Sequence, residues 1–419
     1  WPLSASAQVN LSWNDCGSFG ALDKTDLCTS NAGLAGTMYG SFISINAPQC
    51  VAMEFYLDMI ESAPTQSAYW QIDGVNTAGC RAAQATFSAA AHNHYGSTGL
   101  AFVPVPQIVG ITGACENVDT LFKVKSHVPV PLFFSQTGQL TLEQALQHYP
   151  GVYTTMVSGR DEEIEDERHL RQFLLTEEEF DWSMVSPGAE YDEEKMYSAM
   201  LEHIEAAIKA MSRAVVEHHG ETLESAFGRD VAGLAASFDK PFHRISYQDA
   251  LKLLAADGFP DLRWGADLTS AHEAKIVEVL NAGQFPRPVF IMRYPKEIKF
   301  FNMKVSERDD RVVLSADCIF PYAGEGVGSA VREHDGAKLT KRLLGSTMYR
   351  LHLERGGTLN DFGWYLEIVR SGRTQPHAGY GIGNERVLQY LLGANDIRQV
   401  SIFSCMARQT CDWVVRQHA

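Results

Sequence analysis

The chain has 419 residues, 45% of them apolar and 21% charged, with 51 acidic against 35 basic side chains and a formal net charge of −16. This is an ordinary globular balance with enough apolar material for a large core. The acidic surplus works against non-specific binding of nucleic acid, because neutralising phosphate needs Lys and Arg. No run of 18 apolar residues offers a membrane span. Eight cysteines are scattered without a CxxC pair, which argues against a zinc ribbon and fits a reduced, cytoplasmic chain. No basic stretch leads into an apolar one, so no signal peptide is expected.

Residues 1–75 are rich in Gly, Ser, Ala and Asn and show little periodicity, although "CVAMEFYLDMIES" reads as a helix. "CRAAQATFSAAAHNHYG", residues 80–96, is Ala-rich and helix-favouring. "LAFVPVPQIVG" reads as an edge strand interrupted by prolines, and "LFKVKS" with "PLFFSQ" as a strand pair. "LTLEQALQHY" is a helix. "VYTTMVSGR" and "QFLLTEEEFDW" are β-rich runs around a charged segment, the pattern of an antiparallel hairpin with a long loop. "TEEEFDWSM" within it reads as a sheet edge. "DEEKMYSAMLEHIEAAIKAMSRAVVEHHG" is a long amphipathic helix closed by Gly220, with His218 and His219 in its last turn. "SYQDALKLLAADG" is a helix with Ser246 as N-cap. "RPVFIMRYP", "FFNMKVS", "RVVLSADCIFPYAGEG" and "GWYLEIV" read as strands, and "GIGNERVLQYLLGA" as a glycine-led helix. Strands and helices do not alternate regularly, so the fold class is α+β around an antiparallel sheet flanked by helices.

The loop "SGRDEEIEDERHLRQF" poses the functional question. Of the seven residues between Arg160 and Arg168, six are acidic. By itself the pattern fits a surface hairpin with ordinary ion pairs. The longer segment "VYTTMVSGRDEEIEDERHLRQFLLTEEE" resembles the second signature motif of class II aminoacyl-tRNA synthetases, and within them the asparaginyl branch. The resemblance implies that Arg160 holds the ATP α-phosphate and the reacting carboxylate. It likewise puts Glu162 on the adenine amino group, Arg168 and His169 on the β- and γ-phosphates, and Phe173 under adenine. Glu177 and Glu179 match positions near ATP. "LSADCIFPYAGEGVGSAVRE" is similar to the segment that supplies Mg²⁺ ligands and a substrate arginine, here Asp317, Glu325 and Arg332. "HAGYGIGNERVLQYLLG" resembles the third motif and puts Arg386 over adenine. "FFSQTGQLTLEQ" implies Gln139 and Glu143 in the amino-acid pocket. "ACENVDTLFKV" resembles a loop that closes on the substrate, with Glu116 on the α-ammonium group. The linking segments "SYQDALKLL", "WGADLTSAHE", "PVFIMRYPKEIKFFNMK" and "WYLEIVRSG" are also similar. The resemblance covers roughly 76–404.

It implies a class II catalytic domain over 76–419 with a small N-terminal extension over 1–75, ATP and Mg²⁺ as cofactors, and a homodimer built through the 76–110 segment. The chain departs from the family in four places. No anticodon-binding OB barrel is recognisable in the first 75 residues. The loop that reads ENSNTS in the family reads EEIEDE here, where phosphates of a tRNA end would be repelled. Asn117, Val118 and Asp119 replace small residues of the closing loop. Gln172 and Gly159 replace Glu and Phe. The parts for ATP are kept and those for tRNA are lost or opposed. The expected function is therefore ATP-dependent activation of asparagine or aspartate as an adenylate, with transfer to a small-molecule acceptor as an amide or ester and no tRNA or membrane partner. The alternatives are a genuine asparaginyl-tRNA ligase and a non-catalytic relative that binds a partner. His92 and His94, like His218 and His219, lack acidic or Cys partners at ligand spacing, so no further metal site is expected.

Overall fold

The computed structural model describes residues 8–13, 38–43, 103–104, 118–125, 127, 132–161 and 166–401. The chain divides into two units, Trp1–His94 and Tyr95–Ala419. In the first, β1 (Gln8–Trp13) pairs antiparallel with β2 (Met38–Ile43). The Ala-rich segment 80–96 and the helix expected over 50–62 lie outside the described residues.

The second unit is built on an eight-stranded sheet. Second and third from one edge stands the predicted hairpin, β6 (Gly151–Gly159) against β7 (Gln172–Asp181), in register from Gly151–Phe180 to Gly159–Gln172. β3 (Val103–Pro104) adds parallel to β6 at one edge, where its proline is tolerated. On the other side follow β12 (His377–Gly383), β11 (Gly324–Val331), β10 (Ser315–Phe320), β9 (Val289–Met292) and β8 (His243–Ser246). All pairings are antiparallel except the two outermost. β4 (Lys123–Val124) and β5 (Leu132–Phe133) form the expected separate pair.

One face of the sheet is closed by α3 (Glu193–Phe227). Asp192 caps its start, accepting from the amides of Glu194 and Lys195. Met196, Met200, Ile204 and Ile208, four residues apart, lie on one stripe and pack with Phe290, Phe320 and Tyr380 in the largest core cluster. The sequence reading stops this helix at Gly220. Instead the helix runs through it to Gly228, which takes the left-handed conformation at φ 63. His218 and His219 are therefore exposed residues inside the helix. Gly220 is only a propensity cost of about 1 kcal/mol, which the long packed stripe outweighs.

α5 (Tyr247–Ala256), capped by Ser246 as expected, packs with α6 (Ser270–Leu280) on the β8–β9 end. α4 (Val231–Ser237) follows α3. α1 (Gln139–Ala145) contributes Leu140 to a separate core with α7 (Gly336–Gly345), α8 (Thr347–Glu354) and α9 (Gly363–Arg370). α2 (Trp182–Val185) links β7 to α3, and α10 (Asn384–Leu392) follows β12. "GWYLEIV" is thus helix, not strand. Its buried Tyr365, Leu366 and Val369 recur at i, i+1 and i+4, a helical spacing in a short β-branched run. "FFNMKVS" is not a strand either. It makes only isolated bridges, Met303 to Arg332 and Val305 to Val313, and wraps the end of the sheet. "TEEEFDWSM" does not lie at a sheet edge: β7 is interior, between β6 and β12.

Candidate active site

The face of the sheet opposite α3 carries a cavity of about 360 Å³, within the range of small-molecule sites. Its floor follows from the alternation in "HAGYGIG". Tyr380 and Ile382 point into the core beneath, while Gly379 and Gly381 leave the upper face bare. Gly379 stands opposite Glu179, and a Cβ there would lie 2.0 Å from the Glu179 carboxyl carbon. Glycine is what lets that carboxylate lie over the central strand.

Arg160, Arg168, His169, Phe173, Gln139, Arg332, Asp317, Glu325 and Arg386 all line this one cavity. Glu116 and Glu162 lie outside the described residues. Glu143 is set back. Its carboxylate, 2% exposed, accepts from Gln139 (3.0 Å), Asn302 (2.7 Å), the Tyr365 hydroxyl and His377 (3.3 Å). Burial pushes this carboxyl up, but the hydrogen bond and charge of His377, with Arg332 nearby, outweigh it and hold it below its usual range. Burial lowers His377 in turn, and Glu143 more than reverses that.

The partner of Arg332 is Glu179. Its Nε and Nη2 donate to Glu179 Oε1 at 3.0 and 2.6 Å, with both side chains almost fully buried. Among the described residues, the other oxygen of Glu179 is buried with no hydrogen-bond partner. Burial pushes the Glu179 carboxyl up to about 7 although Arg332 opposes this. Glu177 is occupied by Thr137 and by the Gly138 amide at 2.6 Å. Lys299, which the sequence reading does not single out, donates to Asp317 at 2.6 Å and lies over the Tyr294 ring.

At the other end of the cavity, Arg386 donates to the carbonyls of Ala323 and Arg168, and Arg168 pairs with Glu273 of α6 at 2.5 Å. Burial, then the charge of Arg168, lowers Arg386 to about 10. Gly324, at φ +74, takes a conformation that favours glycine, and the Arg168 guanidinium lies where a Cβ would be. His169 is oriented by Asp166 (2.8 Å), and Phe173 packs beside Leu170 and Ile397.

The geometry fits a known family. The profile described as "tRNA synthetases class II (D, K and N)" matches residues 80–407. The chain belongs to this class II family. Over 294 residues it is 33% identical to the asparagine–tRNA ligase of Pyrococcus furiosus, covering 70% of this chain and 61% of that protein. The corresponding ligase of Thermococcus gammatolerans is 32% identical with the same coverage. The crystal structure of asparaginyl-tRNA synthetase from Pyrococcus horikoshii complexed with asparaginyl-adenylate superposes with a TM-score of 0.61 at 32% identity, covering 73% of this chain and 64% of that one. The chain thus spans about three fifths of the length of these curated class II relatives.

Class II synthetases use ATP and Mg²⁺. Asp317 and Glu325 sit on paired strands and face the same cavity. Hard carboxylate oxygens beside room for phosphate oxygens suit Mg²⁺. Among the described residues no three His, Cys, Asp or Glu gather closely enough to hold an ion by themselves, so nucleotide or water oxygens would complete the shell.

The Asp317 carboxyl is pushed up to about 7 by burial, with Lys299 opposing and Glu325 adding to the rise. The folded protein therefore keeps a proton that the unfolded chain has already released, and stability falls as pH rises through this window. Without nucleotide, wild type is expected to lose stability relative to Asp317→Asn between about pH 5 and 7, approaching 1.4 kcal/mol per pH unit. Urea melts across that range read the difference; parallel curves would contradict it.

Proposed function

We propose that this chain is an ATP-dependent, AMP-forming ligase that activates the carboxylate of asparagine and passes the acyl group to a small-molecule nucleophile. The observation that carries the substrate is the Arg332–Glu179 pair. Arg332 offers donors for a side-chain oxygen, while the unpaired buried oxygen of Glu179 is an acceptor for an amide NH₂. A carboxamide satisfies both. The carboxylate of aspartate would set a second anion against Glu179. Glu143, spent on its own network with Gln139, Asn302, Tyr365 and His377, adds a nearby negative charge that favours the Arg332 cation.

In the first step a carboxylate oxygen of the substrate attacks the α-phosphorus in line, forming the mixed anhydride as the bond to pyrophosphate breaks. Arg160 offsets charge at the α-phosphate, and Arg168 and His169 hold the outgoing phosphates. Phe173 and Arg386 enclose adenine. Asp317 and Glu325 would hold Mg²⁺, which would supply charge neutralisation at the phosphates. In the second step an amine or hydroxyl attacks the carbonyl, AMP leaves, and the acceptor loses its proton to solvent or phosphate. No side-chain nucleophile is required.

The run from Asp161 to Glu167 supports a small acceptor, because a polyanionic RNA end would meet these acids. The activity of the relatives, ligation of asparagine to tRNA, favours the second reading, a tRNA ligase. Adenylate formed in place is to be offered total tRNA and a panel of amines, with products read by acid-precipitable label and mass spectrometry. The expected outcome is an amide or ester on a small molecule and negligible tRNA charging. Charging of tRNA at a useful rate would overturn the small-acceptor reading.

A further inference from the structure

Glu273 belongs to "WGADLTSAHE", a stretch to which the reaction above gives no role. It lies in the first turn of α6, 8% exposed, and its Oε2 accepts from Arg168 Nη2 at 2.5 Å. This contact joins segments 105 residues apart.

The surroundings of Arg168 are not those of a settled structural pair. Its backbone amide is held by Asp166 and its carbonyl by Arg386, so the start of the side chain is fixed. Its guanidinium passes tightly over Gly324 in the β10–β11 turn. Its Nε is buried with no acceptor among the described residues. Two cations, Arg168 and Arg386, stand together, and each raises the cost of the other's charge. Glu325 does the same to Glu273. Like charges adjoin at this end of the cavity, which Arg168, Arg386 and Glu325 line, and one buried donor of Arg168 is unmet among the described residues. An incoming group with several anionic oxygens would satisfy Arg168 Nε and separate the two arginines electrostatically.

We propose that Glu273 is a resident stand-in for the phosphate chain: it neutralises Arg168 while the site is empty and is displaced from it when a di- or triphosphate arrives. The inference rests on the nucleotide reading given above. Glu273 then acts as a positioning residue with an affinity cost. It keeps Arg168 extended across the cavity mouth, and it makes a bare phosphate chain compete with a built-in carboxylate. A nucleotide that also stacks its base on Phe173 and Arg386 outcompetes it more readily. The consequence is discrimination against free pyrophosphate, the product that must leave.

The test is equilibrium binding to the full chain, by calorimetry, of inorganic pyrophosphate, ATP and AMP. Glu273→Gln keeps the shape and removes the charge. It is expected to bind pyrophosphate at least about tenfold more tightly than wild type, with AMP changed less than about twofold. Glu273→Asp, which keeps the charge but shortens the reach, is expected to fall between, and it serves if the Gln variant does not fold. Unchanged or weakened pyrophosphate binding in a folded variant, with ATP still bound by wild type, would overturn the stand-in role alone. An equal gain for AMP would also overturn it, since AMP lacks the phosphates that displace Glu273. If wild type binds neither ATP nor pyrophosphate, the nucleotide reading fails and this inference with it.

Discussion

Arg332→Met is expected to lose asparagine-dependent activity and to unfold at a markedly lower denaturant concentration. Arg332 is the counter-charge of Glu179, and both are within a few per cent of complete burial. Removing one member of such a pair strands the other in a medium that cannot solvate it, at a cost of about 3–5 kcal/mol. Glu179 already lies near 7 with Arg332 in place. Without the arginine it would take up a proton at neutral pH, and this limits the loss. The double variant Arg332→Met/Glu179→Met removes both charges and is expected to recover most of the stability and none of the activity. Stability read from urea melts, alongside exchange rates, separates the two effects. If the single variant were as stable as wild type, the pair would not be the buried anchor described here.

The second large effect is at Arg160. It lies just beyond the end of β6, is exposed to the cavity, and its amide is tied to the Arg171 carbonyl across the hairpin. Substitution is therefore expected to leave stability within about 0.5 kcal/mol. Two anions must meet at the α-phosphorus, and a fixed cation there stabilises charge that develops in the transition state. Arg160→Ala is expected to lower the rate of adenylate formation roughly 100- to 1,000-fold or more, with Arg160→Lys recovering only part of it because a point charge cannot bridge two oxygens. The contrast with Arg332 is the useful feature: one variant loses chemistry without stability, the other loses both.

Much of this site was legible in the sequence. The hairpin and the long helix declared themselves by spacing, the resemblance to class II motifs singled out the arginines and carboxylates, and those among the described residues, except Glu143, line one cavity. What stayed hidden has a physical cause. Although the resemblance matches Glu177 and Glu179 to positions near ATP, the run Glu177, Glu178 and Glu179 looks like a solvated edge because burial of three consecutive acids is costly. Each is instead answered by a partner from a distant segment: Thr137 and Gly138, His203 and Tyr380, and Arg332. Three acids in the middle of an apolar strand were the available signal. Lys299 and Glu273 also act through long-range ion pairs that no local pattern announces. The helix at Gly363–Arg370 reads as a strand in sequence because two aromatic and two β-branched residues fill half of a short window, and only packing against α7 and α1 reveals the helical face.

The most direct measurement is ATP–pyrophosphate exchange with single amino acids and Mg²⁺, with no tRNA added. The account predicts exchange that depends on asparagine, is weaker with aspartate, and disappears in Arg160→Ala. No exchange with either amino acid, or exchange that survives in Arg160→Ala, would contradict it.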